Sequence, residues 1–184
     1  MMQGFGFTCL DLERFLAQAV TNWVNNPPIL MRNPEDPNGN MVTPVVYQGR
    51  IPSVMAPQMQ NTFKAPSIAV ACVSAHYKRP FGLATVHMPI LTWDDDLNRN
   101  GYEDVHLVVQ RIVSELYMLG GVLGESFILT DDSVDAEVFY DTTIDFFGYF
   151  IGSVSCKFGL QTPVLDEGPV VGQEEYLIQS GVPS

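Results

Sequence analysis

Near the N-terminus, over residues 8–25, the apolar positions Leu12, Phe15, Leu16, Ala19, Val20 and Trp23 recur at intervals of three and four. That is the stripe of an amphipathic helix, whose apolar side must be buried against another element. Thr8 with Asp11 three residues later supplies an N-cap and an acid in the first turn. Asn25-Asn26-Pro27-Pro28 then stops the helix, because proline lacks an N–H and restrains its predecessor. The same period returns over residues 102–119 in Val105, Val108, Val109, Ile112, Leu116 and Leu119, and Gly120-Gly121 ends it.

Period-two and β-branched stretches read as strands. Residues 68–77 and 83–93, on either side of the turn-like Lys78-Arg79-Pro80-Phe81-Gly82, predict a hairpin. Residues 126–130 and 137–145 predict two further strands. Residues 146–160 predict a third, bent strand, whose glycines 148, 152 and 159 suggest bulges or close backbone approach. Most of the 13 prolines lie between Pro27 and Pro66. Regular structure there is limited to short extended pieces: an exposed loop over 33–41, an edge strand over 42–47 and a lid or arm over 51–61. The pattern predicts an α+β fold, a mixed or antiparallel β-sheet packed against two amphipathic helices. Residues 1–163 form one domain with a Pro-rich extended arm over 27–66, and residues 164–184 form an acidic, extended C-terminal tail that orders on a partner.

Hydrophobic residues at 46% and charged residues at 16% exclude a generally disordered chain. A net charge of −12 repels phosphate backbones, which disfavours gripping nucleic acid by charge. The 11 Phe, 7 Tyr and 8 Met suit apolar area shared with other subunits as well as an ordinary core. Cys9, Cys72 and Cys156 are odd in number and scattered, which fits synthesis in a reducing compartment better than a disulfide framework. The opening residues lack a basic segment followed by a long apolar one, and no stretch approaches roughly 18 uninterrupted apolar residues, so neither export nor a membrane span is expected.

Candidate chemistry is sparse. Asp96, Asn98, Asn100 and Asp104 stand at positions one, three, five and nine of a loop with Gly101 at six, which resembles an EF-hand calcium loop. The twelfth position, where a bidentate acid belongs, is Leu107. The same residues suit the N-terminus of a helix, whose unpaired N–H groups want capping oxygens and carboxylates. Cys72 and His76 fall on one face of a strand, with His87 on its neighbour, but the spacing matches no common zinc pattern and a fourth ligand is not evident. Asp131-Asp132 and Asp94-Asp95-Asp96 read as solvated turns before they read as acid–base pairs. No nucleophile elbow, phosphate loop or dinucleotide loop is present in the sequence, so neither enzymatic activity nor a cofactor is expected.

The run Phe146-Phe147-Gly148-Tyr149-Phe150-Ile151 puts large apolar groups on both faces of a strand. One face meets the core. The other needs a second covering, either a helix of the same chain or a neighbouring subunit.

The order of elements resembles the tail-terminator and tail-completion proteins of long-tailed bacteriophages: a helix, a Pro-rich arm, a strand pair, then a Trp93-Asp94-Asp95-Asp96 turn into a helix. That helix reads GYEDVHLVVQRIVSELYMLGG, and the closing aromatic strand reads FFGYFIGSVSCKFGLQTP. The resemblance spans residues 8–163 as a pattern of elements. It implies a non-enzymatic virion protein of the tail or neck, made in the host cytoplasm, that forms a ring commonly of six copies. Such a ring caps the tail tube, offers a surface to the head–tail connector or stopper protein, and lets DNA pass through its lumen without specific binding. A head-to-tail interface closes such a ring. The arm, the tail and the aromatic strand, with Phe147, Tyr149, Ile151 and Phe158, are the expected contributors. Other readings are a different phage neck or head-completion protein, a calcium-stabilised binding module around Asp96–Asp104, and a small hydrolase.

Overall fold

The computed structural model describes residues 8–36, 38–51, 53–54, 62–77, 81–94, 100–124, 127–139 and 148–161. The expected arm over 51–61 and the tail over 164–184 lie wholly or largely outside these residues.

Both expected helices form, as α1 (Cys9–Asn25) and α2 (Asn100–Met118). Thr8 caps α1 reciprocally: its hydroxyl accepts the Asp11 N–H at 3.3 Å, and the Asp11 carboxylate accepts the Thr8 N–H at 3.0 Å. These bonds satisfy donors that the first turn of a helix leaves unpaired. Leu12, Leu16, Val20 and Val24 are wholly buried along one side, each worth roughly 1.5–3 kcal/mol of transfer free energy. On α2 the corresponding stripe is Val105, Val108, Val109, Ile112 and Leu116. Gly120 and Gly121, at φ +61° and +86°, take the left-handed conformation that ends the helix.

The strands are β1 (Met31–Arg32), β2 (Met41–Val42), β3 (Val45–Gln48), β4 (Ser53–Val54), β5 (Thr62–Phe63), β6 (Ser67–His76), β7 (Phe81–Trp93), β8 (Val122–Leu123), β9 (Phe127–Leu129), β10 (Asp135–Phe139) and β11 (Tyr149–Gln161). Seven of them form one sheet in the order β3-β6-β7-β11-β9-β8, with β10 also paired to β11. The β3–β6 pair is parallel and the other pairs are antiparallel, so the sheet is mixed and the α+β class holds. The short pairs β1–β2 and β4–β5 stand apart from it.

Of the two roles the glycines of this strand suggested, close approach is the one found, with Gly152 lying against Val105. β11 does not bulge against β7: the two pair without a break from Tyr149 opposite Trp93 to Gln161 opposite Phe81. The irregularity falls in β6 instead, between Cys72 and Ser74.

Both helices pack on the same face of the sheet. Their buried stripes join Ile68, Val70, Ala84, Val86, Met88, Ile90, Val154, Cys156, Phe158 and Leu160 in one contiguous core. Residues alternate across a strand, so every second position of β6, β7 and β11 points to the other face, which neither helix covers.

Candidate interaction surface

The strand register lays out that second face in rows. Phe139 of β10 stands opposite Ile151 of β11, which stands opposite Leu91 of β7. One residue pair along, Tyr149 faces Trp93. Phe139 is 52% exposed and Leu91 only 6%, so the apolar row runs from a covered centre to an open edge. Burial, with Glu35 as a second contributor, pushes the Tyr149 hydroxyl above its ordinary pKa of 10.0. Farther along, the same face turns small and polar, with Ser155 opposite His87 and Lys157 opposite Thr85. An apolar end beside a polar end resembles the core and rim of a protein interface.

This arrangement sorts the residues that the aromatic run suggested. Tyr149 and Ile151 lie on the uncovered face, half-buried, while Phe150 points the other way against the helix-covered core. Phe147 lies outside the described residues. Phe158 is corrected as an interface residue: it sits opposite Ala84 on the helix face with no exposed area, so it has nothing to offer a neighbour. The alternation that puts Tyr149 and Ile151 outward puts Phe158 inward, an odd–even distinction visible in the sequence.

The possible metal ligands do not converge. Cys72 stands opposite Val86 on the helix face, but after the bulge Ser74 stands opposite Thr85 and His76 opposite Leu83, on the other face with His87. Among the described residues no group of three or more His, Cys, Asp or Glu side chains is placed to hold a metal ion. Of the calcium-loop residues, Asp96 and Asn98 lie outside the described residues, and Asn100 is the first residue of α2. Asp104 is described, and its carboxyl is held above the ordinary value of 3.8 by burial first and then by Asp94 and Glu103.

Asp94 itself is not the solvated turn residue expected. It is 3% exposed and ion-paired with Arg32 at 3.2 Å, which ties β1 to the end of β7. Asp131 and Asp132 are exposed, in the turn before β10. Sequence reasoning also missed Glu13, a buried acid on α1 whose carboxylate accepts the Cys72 N–H at 2.7 Å beside the bulge. Pro66 and Val70 turn backbone groups toward β3, Cys72 follows in the same series, and β3 ends opposite Val70, so the acceptor for that N–H comes from a helix.

A second apolar feature is an open groove of about 670 Å³ between Pro27–Leu30 and the outer side of α2, where Leu30, Leu107 and Met118 are exposed. No described helix is long and apolar enough to cross a membrane. The fold and surface together define an α+β protein with a sheet helix-covered on one face and apolar at one end of the other. Comparison with protein-family models finds no match to the chain, and comparison with curated proteins finds none either.

Proposed function

We propose that this chain is a non-enzymatic structural protein of a long-tailed bacteriophage, forming a ring of tail-terminator type that caps the tail tube and joins it to the head–tail connector or stopper protein. The observation that supports this reading best is the Phe139–Ile151–Leu91 row on the face the helices leave uncovered. An apolar row that reaches an open edge favours association with another protein surface. The net charge of −12 suits a lumen through which DNA passes without binding. The ring, its six copies and its place in the virion come from the resemblance in the order of elements.

The test is direct. Polymerised phage tail-tube protein is incubated with the purified chain and viewed by negative-stain electron microscopy. A ring seated on one end of each tube, together with arrested tube growth, supports the reading. Tubes whose ends stay bare and keep lengthening overturn it.

A further inference from the structure

The sheet ends on two short strands. β3 pairs only with β6, and β10 only with β11, so each has a second edge with no strand beyond it among the described residues. On β3 the Val45 N–H donates to the Pro66 carbonyl at 3.0 Å and the Gly49 N–H to the Val70 carbonyl at 2.8 Å. In a parallel ladder the intervening residues Val46 and Gln48 therefore turn their N–H and C=O groups away from β6, and unpaired strand groups of this kind template the addition of another strand.

The two edges carry opposite charge. Exposed Lys64 and Arg50 flank β3, one near each end, in a chain with only 9 basic residues. Exposed Asp131, Asp132, Asp135 and Glu137 lead into and line β10. A chain of net charge −12 repels its own copies on the whole, and a basic edge beside an acidic one offsets that repulsion.

Direction and facing also agree. β3 runs parallel to β6, β7 opposes them, β11 opposes β7 and β10 opposes β11, so β10 and β3 run in opposite senses. Copies related by rotation about an axis along the strands would continue the alternation, with an antiparallel junction. Val46 and Val138 both pack against the helix-side core. Val45, 51% exposed, and Phe139, 52% exposed, share the opposite face.

We infer that copies of this chain join edge to edge, β3 of one copy pairing with β10 of the next, so that the sheet continues from subunit to subunit. Such a contact uses two different patches and is heterologous, the kind that closes into a ring or propagates. The inference deepens the ring reading and rests on it for closure, but the pairing itself needs only a second copy of the chain.

The experiment follows the solution mass of the full chain by light scattering over a concentration series, with circular dichroism to verify that each variant is folded. The wild type should form oligomers. Glu137→Lys should weaken self-association on the order of tenfold, as expected for a charge reversed at an interface. Combining it with Arg50→Glu or Lys64→Glu should recover most of the loss. Val46→Pro, which removes an outward N–H without touching the β3–β6 ladder, should abolish association. Folded variants that all associate like the wild type, or a wild type that stays monomeric throughout, would overturn edge pairing. Ring formation on tail tubes is a separate readout, so an edge-pairing failure leaves the neck reading to its own test.

Discussion

Gly152 of β11 lies against Val105 of α2 so closely that a β-carbon on the glycine would stand 2.5 Å from Val105 Cγ1 and 3.3 Å from Val109 Cγ2. One turn earlier the relationship is mirrored: Gly101 of α2 rests against the Phe150 ring of β11. Missing side chains on both elements let the helix settle onto the strand. Gly152→Ala should therefore push α2 off the sheet and cost about 1–3 kcal/mol, as overpacked cores do. Thermal unfolding checks this, at roughly 2–4 °C per kcal/mol for a chain of this size. An unchanged melting temperature would mean that the helix–strand spacing is soft.

Glu13 offers a second, independent handle on the fold. Its carboxylate accepts the Cys72 N–H at 2.7 Å where the β6 bulge breaks the ladder. Glu13→Ala leaves that donor unsatisfied and should cost about 1–3 kcal/mol in urea unfolding, whereas Glu13→Gln keeps an acceptor and should cost less. Equal losses in both variants would locate the contribution in packing instead.

These two contacts also mark where the sequence was legible and where it was not. The helices were readable because their stripes, the Thr8–Asp11 cap and the Gly120-Gly121 stop all act within a few residues. The long pair β6–β7 was readable from two strand-like runs on either side of a turn-like segment, although β6 does not alternate cleanly. β3 was placed as an edge strand, but its parallel pairing with β6 depends on a chain crossing that local pattern does not encode. The bulge at Cys72 was invisible for a related reason: a one-residue shift in register leaves no mark on composition, yet it reverses which face His76 occupies. The glycines of β11 left bulge and close approach both open from sequence, and the packing of α2 decides it, with small size serving helix approach at Gly152. At the candidate surface, Tyr149 and Ile151 were legible from the aromatic run. Phe139 was missed because it stands on a separate strand and meets Ile151 only through pairing.

The cysteines should report their surroundings to a thiol reagent. Burial pushes the Cys156 thiol up to about 12, and burial followed by the neighbouring Cys9 pushes Cys72 up to about 11. Thiolate is the reactive form, so both should label slowly at pH 8, and Cys156 only when the chain unfolds. Mass spectrometry of the native chain after timed alkylation would show this order. Rapid labelling of Cys156 under native conditions would mean that the sheet opens on that timescale.

Asp104 makes the stability of the chain depend on pH in a stated direction. Burial, then Asp94 and Glu103, hold its carboxyl above 3.8, with Arg32 pulling the other way. A carboxyl that keeps its proton longer in the folded state than in the unfolded one gives the folded state extra bound protons between the two pKa values. The resulting stability is present at low pH and is lost as pH rises from the ordinary value through the raised one. Asp104→Asn removes the ionisation while keeping the shape. The variant should melt above the wild type at pH 7, and the gap should close as pH falls toward 3.8. Calorimetry in steps across that range would decide it: a wild type that melts higher at neutral pH would show that the Arg32 attraction outweighs burial and the two neighbouring acids.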